Sequence, residues 1–460
     1  MYYNNDPDIA AISTANGVSA IAIVRVSGSN AWSIAVKIFR ENLNDTNRQP
    51  ELVSHKATHG YIIDENKSVI DEVVIVPYKG PNSYTGFDLV EINCHGNSSI
   101  TNKILELLLK NGARLAKRGE FTQQAFLNGK LDLIQAEAVL DLIQAKTVRS
   151  STACLSIIKG HLGDNIKEIR QKLIDILTQI IARIDFPDEV EDLDTSDLHS
   201  AISLIKQDLA KLAKTATTGI FLRQGIKVAI VGNPNVGKSS LLNQLLNFER
   251  AIVSAKAGTT RDFIEEPLDL NGIPVILVDT AGIRHTSDEI ELIGIDRSIK
   301  AINQADLVLL MNDLTSDEKI DSQLIDHLND KNIILLNNKT DLKPSNTNHK
   351  INDLKFIDIL NISAKTGLGI DKLIKTIENF INNASCVSDV GGSLNQRQGY
   401  LCNLCIESLD RAIIAIQENL PLDCLTTDLK EALDNLSQIC GIEVSQEIIT
   451  NVFANFCVGK

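Results

Sequence analysis

The residues with the plainest chemistry lie in the middle of the chain. Gly232-Asn-Pro-Asn-Val-Gly237-Lys238-Ser239 has the spacing of a phosphate-binding loop. It follows the β-branched run Gly225–Val231 and leads into Ser240–Leu246, which has helical spacing. Its glycines let backbone N–H groups turn inward around phosphate oxygens, and the helix N-terminus adds its positive end. Asn235, Val236, Gly237, Lys238, Ser239 and Ser240 are therefore expected to cradle a nucleotide. Lys238 would reach the β- and γ-phosphates, and the Ser239 hydroxyl would ligate Mg²⁺.

Companion motifs select the nucleotide. Asp279-Thr280-Ala281-Gly282 ends an apolar run, which sets a carboxylate near the metal and the Gly282 N–H toward the γ-phosphate. Asn338-Lys339-Thr340-Asp341 follows another apolar run. There Asp341 can accept two hydrogen bonds, from N1–H and the exocyclic amine of guanine, a pair that adenine lacks. Ser363-Ala364-Lys365 fits a second guanine-side loop. The expected ligand is GTP, not ATP.

Hydrolysis needs a positioned water and neutralised charge. Thr260, in Ala257-Gly-Thr-Thr-Arg-Asp262, would close over Mg²⁺ when the γ-phosphate is present. Ile283 stands where many switch GTPases place a water-orienting Gln, and its side chain cannot orient water. Glu291 is a candidate for that work, although a single surface Glu is ordinarily a solvated helix residue. Arg284 reads as an exposed loop residue rather than an arginine finger. Asn235 and the segment Ser254-Ala-Lys256 offer oxygens to a monovalent cation that could replace such a finger, a group worth about 10³–10⁵ in rate.

Five strand-like runs position these motifs: Gly225–Val231, Pro274–Asp279, Asp306–Met311, Asn332–Asn337 and Phe356–Ile362. Helix-length segments separate them, so residues 222–384 should form a mostly parallel sheet with helices on both faces, a P-loop GTPase domain of α/β class. Residues 1–128 mix the strands Ala20–Val26, Glu72–Pro77 and Leu89–Asn93 with a helix at Ile100–Lys110, an α+β domain. Residues 129–221 carry apolar positions at helical spacing from Ile166 to Ile184, and 385–460 do so from Leu401 to Ala412. Neither helical segment has a complete core by itself, so the two should pack together with the GTPase domain inserted between them. Asp185–Asp197 holds seven acids and no base, the composition of a solvated loop.

The 460 residues suggest about three domains at ~150 each. A net charge of −14 argues against non-specific coating of nucleic acid, so any nucleic acid must meet a local basic surface. Residues 101–150, with eight bases and five acids, offer only a weak RNA footprint, and a solvated helix face is the better reading of them. No run reaches the ~18 apolar residues of a transmembrane segment, and the start lacks the basic head and apolar stretch of a signal peptide. Eight cysteines are too sparse for a disulfide scaffold, so a cytoplasmic protein is expected. Cys402-Asn-Leu-Cys405 has no second ligand pair at zinc spacing. Cys457, near Lys460, is either an incidental thiol or a nucleophile or redox group; Lys is a poor final residue for a prenylation box.

The combination resembles the MnmE (TrmE) family of tRNA-modifying GTPases over essentially the whole chain. The specific marks are Pro81-Asn-Ser-Tyr-Thr-Gly86, Gly119-Glu-Phe-Thr122, Ala125-Phe-Leu-Asn-Gly-Lys-Leu-Asp-Leu133, the inserted GTPase domain and the terminal Cys-x-Gly-Lys. The resemblance implies a homodimer joined through amino-terminal domains, each binding 5-formyltetrahydrofolate or a related tetrahydrofolate. It also implies a heterotetramer with a flavin (FAD)-dependent partner, and addition of a carboxymethylaminomethyl or aminomethyl group to carbon 5 of the wobble uridine of certain tRNAs. On the family pattern Arg25, Glu91, Lys130 and Lys460 fall on folate contacts and Cys457 on the functional cysteine. Asn235, Ser254, Lys256 (by its carbonyl) and Thr259 fall on a potassium site that drives dimerisation of the GTPase domains, and Glu291 falls on the catalytic glutamate. Thr14–Ala20 is poorer in Gly and Pro than the family loop, and Arg118 and Gln124 replace the usual Pro and Arg. The competing reading is a ribosome-assembly or RNA-docking GTPase without a modification role, which typically carries a basic RNA-binding domain. A third is a scaffold in which GTP only stabilises a dimer.

The guanine assignment is directly testable. Asp341→Asn should shift nucleotide preference from guanosine toward xanthosine triphosphate in competition binding; unchanged GTP preference would refute it.

Overall fold

The computed structural model describes residues 7–15, 17–43, 50–189, 194–248, 265–279, 298–316, 322–342, 354–384, 392–442 and 444–460. The chain divides into two compact units. The first comprises Met1–Leu140, Ile158–Arg170 and Asp434–Lys460, and the second Asp141–Ile157 and Gln171–Leu433. Both helical segments of the sequence thus contribute to both units.

In the first unit seven strands form one sheet in the order β3-β4-β5-β6-β2-β1-β7. They are β1 (Ile9–Ile12), β2 (Ser19–Ser27), β3 (Phe39–Arg40), β4 (Thr58–Ile63), β5 (Val69–Tyr78), β6 (Leu89–Gly96) and β7 (Arg114–Leu115). All neighbours are antiparallel except β1 and β7. Alternation along β2 and β6 buries Ala22, Val24 and Val26 with Val90, Ile92 and Cys94. The helices α1 (Ala31–Ile38) and α2 (Ser98–Lys110) add Ile34, Ile38, Ile104 and Leu108 to the same core. Arg25 and Glu91, opposite one another in register, lie on the other face. The strands β1, β3, β4 and β7 and the helix α1 are additions to the elements expected from sequence. β4 contains Gly60, where a Cβ would come within 2.3 Å of the Arg40 carbonyl and 2.5 Å of the Phe39 ring. That close approach needs a residue of low strand propensity, which hides the strand from pattern reading.

α3 (Glu120–Leu127) and α4 (Leu133–Gln144) meet the chain terminus in this unit. Phe453 and Phe456 pack with Leu133, Ala136 and Phe126. Pairing of Arg118 with Val458 and a hydrogen bond from the Phe121 N–H to the Lys460 carbonyl (3.2 Å) dock the last four residues.

The second unit holds a six-stranded sheet, β13-β12-β11-β8-β10-β9. β8 (Ile226–Gly232), β10 (Ile273–Asp279), β11 (Leu307–Asp313), β12 (Ile333–Asn338) and β13 (Asp358–Asn361) are parallel, and β9 (Glu265–Leu270) is antiparallel to β10. On β8, Val228 and Ile230 join one core while Ala229 and Val231 join the other. Helices cover both faces, which is why these strands read as unbroken apolar runs. α8 (Lys238–Phe248) and α11 (Ile370–Ala384) cover the first, and residues 298–304 (α9) cover the second. The short α10 (Ser322–Asp326) also lies on the second. This is the P-loop GTPase fold.

The remaining helices are divided between the two units. α5 (Val148–Ile158), α6 (His161–Asp185), α7 (Thr195–Gln224), α12 (Gln396–Gln417) and α13 (Leu422–Cys440) follow in chain order, and α14 (Gln446–Ala454) completes the set. α7 and α12 pack together, joining the two helical stretches of the sequence as expected. Asp194, from the acidic stretch, caps α7 by accepting the Ser196 N–H at 2.8 Å. Within the second unit, Arg223 near the end of α7 pairs with Asp141 at 2.7 Å and donates to the Ser393 carbonyl at 2.7 Å, tying together the chain that enters and leaves the GTPase domain.

The β9–β10 hairpin turns at Asn271 and Gly272, both with positive φ (53° and 82°), the type I′ geometry that suits a two-residue turn. Thr147 Oγ1 donates to the Gly272 carbonyl at 2.6 Å and Arg149 donates to the Asn271 carbonyl at 3.0 Å. A Cβ on Gly272 would stand 2.6 Å from Arg149 Cβ. Gly272→Ala combines backbone strain with that clash, and should lower stability by about 1–3 kcal/mol in calorimetric unfolding.

Candidate functional site

Among the described residues, the loops at the carboxyl ends of β8, β11, β12 and β13 come together, the usual position for ligands on an open parallel sheet. β8 ends at Gly232, where φ is 152° and a Cβ would lie 2.5 Å from the Met311 carbonyl. The chain then turns through Asn235 (φ 61°) and Gly237 (φ 103°) into α8. Val236 is buried and anchors the loop in the core. Ser239 and Ser240 are exposed on the first turn of α8, and Lys238 Nζ donates to the Gly232 and Asn233 carbonyls, each at 2.8 Å. The lysine thus bridges its own loop, with its charge held at the loop's carbonyls.

Asn338 joins this loop to the next two. Its side chain is 3% exposed. Nδ2 donates to the Val236 carbonyl at 2.6 Å, and Oδ1 accepts the Ala364 N–H at 2.8 Å. The side chain therefore satisfies two backbone groups of different segments. Gly237 leaves room for it, because a Cβ there would stand 2.4 Å from Asn338 Nδ2. Asp341 is exposed, and its Oδ1 accepts from the Ser363 hydroxyl at 2.7 Å. Ala364 is buried and Lys365 exposed. The two loops expected to contact guanine are thus held against each other and against the phosphate loop.

Beside them a cavity of about 210 Å³ is lined by Asn233–Val236 together with Met311–Asp313 and Ser316. Asp313 Oδ2 lies 2.5 Å from Lys339 Nζ. Burial works to raise the Asp313 pKa, but hydrogen bonds from Lys339 and Thr315 hold it below the usual carboxylate value. Asp313 has no place among the sequence-derived site residues. Its one signal was the Asp-Leu-Thr turn at the end of an apolar run.

Asp279 closes β10 in register with Ile230. The remaining expected site residues of this sheet, Ser254, Lys256, Thr259, Thr260, Thr280, Ala281, Gly282 and Glu291, lie outside the described residues.

A second polar cluster occupies the first unit. Arg25 pairs with Glu91 at 2.7 Å, each side chain 18% exposed, and also donates to the Gly459 carbonyl at 3.5 Å. Lys460 is half-buried; burial, then repulsion from Arg25, pushes its pKa down. Tyr78 donates to Glu91 at 3.5 Å, and burial and the Glu91 charge push its pKa up. Two cations therefore face one carboxylate in a half-buried setting. Arg25, Glu91 and Lys460 are brought together. Lys130 is exposed, and its ammonium instead donates to the Pro81 carbonyl at 3.0 Å. Tyr78, missed in the sequence, sits two positions along β5 from Val76, the register partner of Glu91, so strand alternation could have found it.

Gly459 has φ 92°, and a Cβ there would lie 2.4 Å from the Ile12 carbonyl, which holds the tail tight against β1. Cys457 beside it is exposed. Gln124 is buried and accepts from Ser27 at 3.2 Å, while Ser27 also meets Thr85 at 2.8 Å. A neutral residue suits that buried triad. Cys402 and Cys405 are buried, and their thiols point to the Leu209 and Ala432 carbonyls. Of the basic residues between 101 and 150, Lys103, Lys110 and Arg114 are already paired with acids. No group of three or more metal-ligating side chains occurs among the described residues.

The family profile described as GTP-binding protein TrmE N-terminus matches residues 8–130, and that of the MnmE helical domain matches 133–457. The chain is 41% identical over 458 residues to the tRNA modification GTPase MnmE of Acetivibrio thermocellus, covering 98% of this chain and 99% of that one. It is 44% identical over 461 residues to the protein of the same name from Streptococcus pneumoniae, covering 98% of each. A crystal structure of Aquifex aeolicus Era is 29% identical, covers 40% of this chain and 66% of that one, and superposes with a TM-score of 0.27.

Proposed function

The chain belongs to the MnmE family of tRNA modification GTPases, and we propose that its parallel sheet runs a potassium-stimulated GTP cycle that gates chemistry at the amino-terminal unit. It is a GTP hydrolase that takes part in tRNA modification. The observation that carries the nucleotide half of the reading is the single buried side chain, Asn338, that locks the phosphate loop to both guanine-side loops.

On this reading Lys238 exchanges the Gly232 and Asn233 carbonyls for the β- and γ-phosphates. That swap replaces partial charges by full ones and strengthens the bonds. Asp341, oriented by Ser363, accepts from guanine; a site built for such a pair rejects the mismatched base by roughly 10⁴-fold. Ser239, exposed on the first turn of α8, fits a Mg²⁺ ligand, with Thr260 and Asp279 its expected companions. Glu291 orients the attacking water. Asn235, exposed at the crest of the loop in a left-handed conformation, fits the potassium site that it would share with Ser254, Thr259 and the Lys256 carbonyl. Potassium bound there would supply the positive charge that an arginine finger brings elsewhere.

The excess of cations over carboxylate at Arg25, Lys460 and Glu91 fits an anionic ligand with a polar ring, as 5-formyltetrahydrofolate or a related tetrahydrofolate would be. Such a ligand would supply the one-carbon unit for carbon 5 of the wobble uridine. Lys130 joins the site on the family pattern, and Cys457 stands exposed beside it as the tail's functional thiol. The proposed assembly is a homodimer that forms a heterotetramer with an FAD-dependent partner and acts on tRNA in the cytoplasm. Among the described residues no helix is long and apolar enough to cross a membrane.

GTP turnover in potassium should exceed turnover in sodium by about tenfold or more, against the 10³–10⁵ of a full arginine finger. Glu291→Ala should abolish turnover and leave GTP binding intact. Equal rates in both salts, with and without the flavin partner, would contradict the potassium reading.

A further inference from the structure

Lys339 belongs to the Asn338–Asp341 loop, yet its ammonium is committed elsewhere. Its backbone is left-handed, with φ at 66°. The side chain turns to the end of β11, where Nζ meets Asp313 Oδ2 at 2.5 Å. The two side chains are 31% and 12% exposed, so water screens the pair only in part. The other oxygen of Asp313 is separately engaged: Oδ1 accepts the Thr315 N–H at 2.8 Å and the Thr315 hydroxyl at 2.7 Å. Asp313 and Asn338 are register partners on adjacent strands, so the contact joins two neighbouring strand ends.

We propose that Asp313 is a positioning residue for nucleotide recognition: it pins Lys339 to the end of β11, so that the lysine's aliphatic stem stands ready as a wall for the guanine face. The proposal rests on the guanine-loop reading above. A free lysine has many rotamers to lose when a ligand packs against it. One already held by a carboxylate has lost them in advance, which is worth up to about tenfold in affinity. Asp313 also borders the cavity beside the phosphate loop, so the pinned lysine is anchored next to the phosphate cradle.

Asp313→Asn isolates the effect. The amide oxygen can still accept from Thr315, so the turn survives, while the charge facing Lys339 is removed. The KM for GTP and the Kd for GDP should rise about tenfold, with the change falling on KM rather than kcat, and Asp313→Glu should recover part of it. In a Lys339→Met background, Asp313→Asn should add less than twofold, because Asp313 acts through the lysine. The proposal is overturned if Asp313→Asn leaves both constants within twofold, or weakens binding equally with and without Lys339. If Lys339→Met alone left GTP binding unchanged, this proposal would fall, while the guanine-loop reading would stand or fall separately on Asp341→Asn.

Discussion

The nucleotide site depends on one buried amide. Asn338 bridges the Val236 carbonyl and the Ala364 N–H, and it is 3% exposed. Removing it would strand two backbone groups where water cannot readily replace the partner. Because its two bonds run to different loops, the phosphate loop and the loops expected to contact guanine are held in one piece. The glycine at 237 follows from the same constraint, since any side chain there would occupy the space of the Asn338 amide. Lys238 and Lys339 complete the arrangement in different ways. One is parked on loop carbonyls that phosphate can displace, and the other is held by a carboxylate from the neighbouring strand.

The amino-terminal cluster has a different logic. Arg25 pairs with Glu91, and the half-buried Lys460 ammonium lies near enough to Arg25 to be disfavoured by its charge. Burial of unbalanced cations is unfavourable without a partner anion. Backbone contacts of the tail, and the close fit of Gly459 under β1, hold Lys460 there regardless. Such an arrangement is what the proposed anionic ligand would complement.

Much of this was legible in the sequence, for identifiable physical reasons. β8, β10, β11 and β12 are buried on both faces, so they appear as apolar runs, and β8, β10 and β12 each lead into a motif. The phosphate-loop spacing, Asn338 and Asp341 stand out in the sequence because those residue types at that spacing carry chemistry. Strands β3 and β7 are two residues long, and β4 carries a glycine demanded by the Phe39 ring, so neither offered a clean period. Asp313 was invisible because the role proposed for it comes from register with Asn338, a long-range pairing. Tyr78 depends likewise on alternation across β5 and β6. Lys130 shows the reverse: its family position is clear, but its ammonium turns to Pro81.

The central claim is that one side chain couples phosphate and base recognition, and GDP affinity in Asn338→Ala tests it most directly. Stranding two buried groups at about 1–3 kcal/mol each predicts a loss of about 30-fold or more in a protein that keeps its native circular dichroism. A GDP affinity within threefold of the parent, in an equally folded protein, would contradict the account.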